Sequence, residues 1–532
     1  DNPGVYHFIN VLLYALSCFL LFLLLCKLFN KQSILLPFIC CLLYAAHPIH
    51  TEVVNNIKSL DEILCFLFAI VSIWFMVKYV STESKKAFIL GGLGFFLALL
   101  SKETGIVFLL IIPLVIYFFT DYLKKSIISV SVLLVVVTGF WLLIRVIVFK
   151  DLHRDIITAT SPLNNTLYAA PDISSRYATA FYILLRYVGL LFFPHPLSCD
   201  YNYAQIKIHT INDSASLLAI IFYAGIGIYS IVSFKKKDLV AFGILFFLIS
   251  IAPVSNIFFL GGSSMAERFL YIPSFGFCLI VAYFLIKLAK TESIKQRLNN
   301  PLKNFSASPA LFLLVVSITV LYSLKTFSRN KDWKDTLTIF SRDIRVSKNS
   351  ATANELLGNA LVLQCARSPI HENRRDTFNL AKKYLKRALE ISPGFFDASS
   401  NLGYIYLVEN KADSAYLYLK DGIKNGPNDI QLNYYFGSAS LMLNKFDEAI
   451  NALSHTVSLN PKYEDAYMKL ASSYSGKGDL DKGLLNYSQV IKLNPQNALA
   501  YYYSGTILRL KGDTLKANEF FTKAASLGYS PK

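Results

Sequence analysis

Residues 393–427 read PGFFDASSNLGYIYLVENKADSAYLYLKDGIKNGP, and the same skeleton returns every 34 residues. Pro393, Pro427, Pro461 and Pro495 form one ladder at that interval. Gly403, Gly437, Ala471 and Gly505 form a second, and Ala415, Ala449, Gly483 and Ala517 a third. Small residues at two fixed places let paired helices approach closely, and the proline follows the second helix, which it cannot continue. Three coincident ladders predict a solenoid of helix pairs rather than an irregular bundle.

By period and small-residue placement these are tetratricopeptide repeats. An earlier repeat fits at Gly358 and Ala381 if eleven extra residues around Cys365–Arg375 lengthen its helix–helix turn. The first helix of each pair lines a concave groove. Helical spacing turns Tyr434, Met468 and Tyr502 toward it, together with the acceptor-binding candidates Asn401, Tyr404, Tyr435, Lys469 and Tyr503. A polar, tyrosine-rich groove suits an extended peptide or a glycan. The same tyrosines would also serve as packing between repeats, and the sequence leaves both readings open.

Outward from the array the composition changes. The whole chain of 532 residues is 54% apolar and only 16% charged, with a mean hydropathy of +0.44, well short of the quarter charged that soluble domains carry. Residues 1–326 hold 25 Lys and Arg against 15 Asp and Glu among long apolar runs, whereas 327–532 hold 27 against 20. The expected domains are therefore a multi-span membrane region over 1–326 and the repeats over 327–532. The net charge of +17 divides as +10 and +7, so neither half is a concentrated basic patch, and no nucleic-acid partner is expected. Six of eight cysteines lie in apolar segments, which excludes a disulfide framework.

A helix needs roughly 20 apolar residues to cross the hydrocarbon core. Candidate spans are 5–26, 60–77, 103–120, 126–149, 214–233, 239–260, 268–286 and 309–326, with 34–46 and 87–100 as shorter ones. Cytoplasmic loops are rich in Lys and Arg. Lys27 and Lys31, Lys78 with Lys85 and Lys86, Lys124 and Lys125, Lys235–Lys237, and the group Lys287, Lys290, Lys295, Arg297 and Lys303 then share one side. That scheme closes only if 177–193, with Arg186 in its middle, is re-entrant or interfacial. Ten spans place Asp1 and the repeats on the non-cytoplasmic side. Abundant Lys, Asn and Ile with short loops point to a bacterial inner membrane facing a periplasm rather than an endoplasmic reticulum.

Ionisable groups at membrane depth are costly and mark function or pairing. On the outward side gather His47, His50 and Glu52 in AHPIHTEVV; Asp61 and Glu62; Lys102 and Glu103 in LLSKETGI; Arg154 and Asp155; Asp200; and Glu267 with Arg268 in MAERFLYIP. Lys and Arg there suit a phosphate, and carboxylates a general base or a cation. Singly, Lys102–Glu103 reads as a tight hairpin and Glu267–Arg268 as an interfacial ion pair; four clusters on one side favour a site. His47 and His50 straddle a proline and no Cys or carboxylate group joins them, so neither a metal nor another cofactor is expected. There is no phosphate-cradling Gly loop and no GxSxG; Gly91, Gly92 and Gly94 lie in a span, where small residues serve packing. A transporter is disfavoured because the charges lie at the outer surface and no inverted halves are visible.

The order AHPIHTEVV, LLSKETGI, RYATAFYILLRYVGLLFFPHPLSCDYNY, APVSNIFF, MAERFLYIPSFGF and RNKDWKD, leading into tetratricopeptide repeats, resembles the transmembrane-and-tetratricopeptide-repeat O-mannosyltransferases of the GT-C superfamily. The resemblance implies an all-α fold, a polytopic GT-C-like membrane domain followed by the solenoid. It implies transfer of a mannose-like sugar from a polyprenyl phosphate to Ser or Thr hydroxyls on the non-cytoplasmic face, with inversion, and with acceptor polypeptides presented by the groove. Lys102, Arg268, His47 and His50 match motif positions near the donor phosphate, and Glu103, Glu52 and Glu267 match positions assigned here to catalysis. Two departures stand out. The opening PGVYHFINVLLY resembles the family's second span, so the first outward loop with its acidic residue is expected to lie outside this chain, which by itself would lack its base. Leu60 stands where members often carry Arg. The competing expectation is a non-catalytic membrane anchor displaying a repeat scaffold for envelope assembly.

Overall fold

The computed structural model describes residues 3–29, 34–121, 124–149, 161–288, 308–367 and 374–530. Lys31, Arg154, Asp155, Lys290, Lys295, Arg297 and Lys303 lie outside the described residues, as does 368–373 within the extra segment of the first repeat. The described residues form helices and no strands, and the chain divides into two units, Asp1–Lys348 and Asn349–Lys532.

In the first unit, helices occupy all ten expected spans: α1 Pro3–Leu28, α2 Leu35–Ala46, α4 Leu60–Thr82, α5 Lys85–Ser101, α6 Phe108–Phe119, α7 Lys124–Phe149, α9 Ser214–Phe234, α10 Leu239–Ile251, α11 Ser274–Leu288 and α12 Pro309–Asn330. A short α3, Thr51–Asn55, sits between α2 and α4, α8 is Ile173–Phe192, and α13 is Thr336–Asp343. Five stretches are long and apolar enough to cross a membrane by length and composition: Gly4–Leu28, Ile57–Thr82, Lys124–Phe149, Ser214–Phe234 and Pro309–Lys334. The others are shorter; two of them gain length from single 3-10 turns, Glu103–Val107 before α6 and Ala252–Val254 after α10.

Side chains of α1, α2, α4, α6, α10 and α11 interdigitate in one apolar core around Tyr44, Phe66, Phe108 and Tyr271. Small residues set the closest crossings. A Cβ on Gly276 would lie 2.4 Å from the Gly243 carbonyl oxygen, so α10 and α11 touch through backbone. On α5, Gly94 likewise meets the backbone of Ser72 on α4, and Gly91 makes room for the Met76 side chain. Helix α8 is capped by Asp172, buries Ala180, Ile183, Leu184, Tyr187 and Leu191 on one face, and is not among the five long apolar stretches. Residues 327–348, assigned to the repeats by the sequence, pack with the first unit. Arg329 and Asp343 are both buried and bidentate at 2.5 and 2.9 Å, and Asp343 also accepts from the Cys199 N–H at 2.6 Å.

The second unit is five helix pairs: Ala351–Arg367 with Arg374–Ile391, Phe396–Val408 with Ala412–Asn425, Ile430–Met442 with Phe446–Leu459, Glu464–Lys477 with Leu480–Leu493, and Ala498–Leu510 with Thr514–Ser526. The insertion lengthens both helices of the first pair, to 17 and 18 residues against 13 and 14 in the next. The Gly403 ladder meets a bulky partner ladder on the second helices. Gly358, Gly403, Gly437 and Gly505 face Leu385, Leu419, Leu453 and Phe521, and Ala471 clusters with Tyr487. A further ladder closes each of the last four pairs: Asn410, Asn444, Gly478 and Gly512 all take positive φ, at 56, 56, 91 and 84°, where only Asn and Gly turn cheaply.

Candidate functional site

Several short segments meet at one end of the first unit's bundle: the 3-10 turn Pro48–His50 with α3, the start of α4, the α5–α6 corner at Lys102, and the 3-10 turn Glu267–Leu270. His47 caps the first turn by accepting from the Ile49 N–H at 3.2 Å, with Pro48 at its first position. The Lys102 corner is tight because a Cβ on Gly105 would approach the Ala98 carbonyl oxygen to 3.0 Å.

These turns assemble a cluster of buried and half-buried charge. Lys102 donates to Glu62 at 2.7 Å and to Asp61 at 3.0 Å. Glu62 lies within electrostatic reach of Arg268 as well. The Arg268 guanidinium and backbone N–H bind both oxygens of Glu52, at 2.5 and 2.9 Å, and Glu52 is 1% exposed. Glu267 is fully buried; its Oε1 accepts from the Ser198 N–H at 2.5 Å and the Tyr201 hydroxyl at 2.8 Å, and its Oε2 has no hydrogen-bond partner among the described residues. Burial first, and the neighbouring Glu52 charge second, push the Glu267 carboxyl up to about 8, against the pull of Arg329 and its two donors. A carboxyl held there keeps its proton at neutral pH.

The expected site residues thus separate. Glu52, Arg268, Glu267 and Lys102 come together. Glu103 does not join them: it is 65% exposed and meets Arg145 at 3.9 Å. His47 and His50 are also displaced from the expected role of holding phosphate. The His47 Nε2–H donates to the Leu191 carbonyl at 3.0 Å, while Nδ1 takes the Ile49 N–H. His50 Nε2 is hydrogen-bonded to Ser274 Oγ at 2.9 Å and Nδ1 to the Tyr14 hydroxyl at 2.8 Å. Every ring nitrogen is occupied. Burial lowers both imidazoles, His47 to about 4, so they stay neutral and brace the turn. Among the described residues no three of His, Cys, Asp and Glu are arranged to hold a metal ion.

Sequence reasoning missed the Arg329–Asp343 pair and the Ser198–Tyr201 backbone it holds, where Cys199 N–H binds Asp343 and Ser347 binds the Asp200 carbonyl at 2.6 Å. The signal was Arg329, first residue of RNKDWKD. In the second unit Asn401 donates to Glu355 at 3.0 Å, Tyr404 packs on Tyr435 at 5.4 Å, and Lys469 lies over the Tyr434 ring at 5.8 Å. Tyr503 differs: it stacks on Tyr487, a 3% exposed residue of the preceding second helix, and so packs between repeats. Glu355 and Asp397 were not foreseen. Burial, and Asp397 beside it, raise Glu355 to about 8; burial and Asp429 raise Asp397 to about 6.

Comparison with known proteins follows the same division. Residues 4–148 match the family described as dolichyl-phosphate-mannose-protein mannosyltransferase, 160–227 the one described as Protein O-mannosyl-transferase TMTC, DUF1736, and 468–531 the tetratricopeptide repeat. The chain is similar to the TMTC-like protein O-mannosyl-transferases. Protein O-mannosyl-transferase TMTC3 of Homo sapiens is 28% identical over 442 residues, 78% of this chain and 45% of the relative. Protein O-mannosyl-transferase tmtc2 of Xenopus laevis is 29% identical over 440 residues, 68% of this chain and 51% of the relative. Protein O-mannosyl-transferase F38B6.6 of Caenorhabditis elegans is 29% identical over 376 residues, 67% and 48% respectively. The TMTC-like chain spans about half the length of the curated relatives it matches, and these relatives are eukaryotic. A solved structure of MamA is 29% identical and covers 29% of this chain and 92% of its own, with a TM-score of 0.28.

Proposed function

We propose that this TMTC-like chain is the membrane and repeat portion of a protein O-glycosyltransferase of GT-C type. It takes a mannose-like sugar from a polyprenyl phosphate at the non-cytoplasmic face and transfers it to Ser or Thr hydroxyls of polypeptides presented by the repeats. The observation that carries the reading is the cluster of buried Glu52, Glu62 and Glu267 with half-buried Asp61, Lys102 and Arg268 at one end of an apolar bundle. The names of the relatives support protein mannosylation. No metal or cofactor is assigned.

In the reaction the acceptor oxygen bonds to the anomeric carbon while the carbon–oxygen bond to phosphate breaks. The phosphate departs with the electron pair, and a carboxylate takes the hydroxyl proton. Arg268 and Lys102, where water is scarce, stabilise the charge gathering on the leaving phosphate. Glu52 aims the guanidinium.

A second reading, the non-catalytic scaffold, draws on the completeness of the ion pairs: Lys102 and Arg268 are already met by carboxylates. The protein expressed from its full reading frame, in membranes, separates the two. Labelled mannose from polyprenyl phosphate mannose should appear on Ser/Thr-containing polypeptides and be lost in Arg268→Lys, with insertion retained. Transfer undiminished in Arg268→Lys and Lys102→Ala overturns the assigned roles, and no transfer by folded wild type favours the scaffold.

A further inference from the structure

The cluster that attracts a phosphate reading is short of free positive charge. Lys102 faces Asp61 and Glu62, Arg268 faces Glu52, and Arg329 faces Asp343 with Asp332 at 3.3 Å. Each of these three cations is matched or outnumbered by carboxylates, so an anion arriving at them would have to displace one. Arg186, over the Tyr201 ring at 5.8 Å, and Lys325 stand outside that balance. Lys325 stands on α12 one turn before Arg329, half-buried, and no carboxylate of the described residues pairs with it. Its ammonium instead donates to His195 Nδ1 at 3.0 Å.

That contact settles the chemistry of both groups. An ammonium has three N–H donors and no acceptor, so Nδ1 offers its lone pair and the ring proton resides on Nε2. One lysine N–H is used and two remain, beside an imidazole N–H on an exposed ring. The pair is thus a concentration of donors to which no carboxylate of the described residues is hydrogen-bonded, within electrostatic reach of Arg329, of Asp332, which is shared with Arg329 and Arg342, and of Glu267. Glu267, protonated at neutral pH, does not neutralise it.

Resting on the transferase reading, we infer that Lys325, seated on His195, is the anion seat of the site and takes the phosphate of the lipid-linked donor. Lys325 then holds the phosphate from the start, and Lys102 and Arg268, held by their carboxylates, add to that contact as charge gathers on the departing group. His195 holds the ammonium in place rather than binding by itself.

Binding tests this without turnover. The full chain in phosphatidylcholine nanodiscs is titrated with a short-chain polyprenyl phosphate mannose, with inorganic phosphate, and again in discs containing phosphatidylglycerol. Lys325→Ala should weaken the lipid-linked ligand at least about tenfold, Lys325→Arg should recover most of it, and Lys331→Ala, a neighbouring cation on the same helix end, should match wild type. Lys325→Ala binding like wild type overturns the proposal while leaving the donor reading intact. Lys325-dependent binding of inorganic phosphate without any of the lipid-linked ligand keeps the anion seat and removes the donor reading. Equal losses in Lys325→Ala and Lys331→Ala, with competition by phosphatidylglycerol, would make the region a general basic collar for headgroups and overturn the specific seat. Wild type that binds none of the anions also overturns it.

Discussion

The Arg268–Glu52 pair shows what a single residue does here. Glu52 is essentially inaccessible, and both its oxygens depend on one arginine. Arg268→Met should therefore destabilise the first unit by about 3 kcal/mol, because a buried carboxylate is left without its cation. Glu52→Gln combined with Arg268→Met should recover a large part of that loss, and thermal unfolding of the four proteins of the cycle in nanodiscs measures the coupling. Glu267 adds a pH dependence. Its folded value, about 8, lies above the ordinary carboxylate value of about 4.3, so its stabilising contribution is complete below pH 4 and is lost as pH rises through 8. Stability should fall between about pH 4 and pH 8, and Glu267→Gln should flatten that slope. An unchanged slope in the variant would mean that another group titrates.

Among elements, the repeats are decided by contacts between two ladders. A Cβ on Gly403 would sit 2.3 Å from Leu419, so Gly403→Ala should cost about 1–3 kcal/mol, read as a lower midpoint for the second unit's unfolding. Ala471 meets Tyr487 instead, and Ala471→Gly should be milder. The turn ladder gives a second element-level expectation. Gly478, at φ 91°, should lose about 1 kcal/mol on change to Ala, while Asn410→Gly should be neutral or slightly stabilising, as denaturant midpoints would report. The histidine turn belongs to this scale too. His47 and His50 cap and brace Pro48–His50, so the AHPIH motif acts by holding Glu52 at the right height.

For the whole molecule the question is which groups share a side of the membrane. The charge rule places the Lys235–Lys237 loop opposite the Glu267 turn. Single cysteines at Lys236 and Ser263, introduced into a chain whose native cysteines are replaced, should react with an impermeant reagent from opposite faces of sealed vesicles. Labelling of both from one face would refute the ten-span scheme. Five stretches already have the length and apolarity to cross, and the remaining five expected spans are helices too short to do so without their flanking turns or neighbouring helices.

The amino-acid sequence by itself determined what is periodic or compositional. The 34-residue ladders, the ten apolar segments and the one-sided α8 are local properties, because helix packing demands small residues at fixed intervals and lipid demands apolar length. It also named the ionisable groups at one end, since charges at membrane depth stand out against their surroundings. Only the tertiary structure decided how those groups pair. Lys102 and Glu103 are adjacent in the chain, yet one turns inward to Asp61 and Glu62 and the other out to Arg145. Glu52 finds Arg268 216 residues away, and Arg329 finds Asp343 beneath a loop more than a hundred residues earlier. Such pairings depend on how turns at the ends of separate helices are stacked. No local pattern encodes that, because side-chain chemistry tells which charges must be matched when buried and the packing of the bundle tells which partners lie within reach.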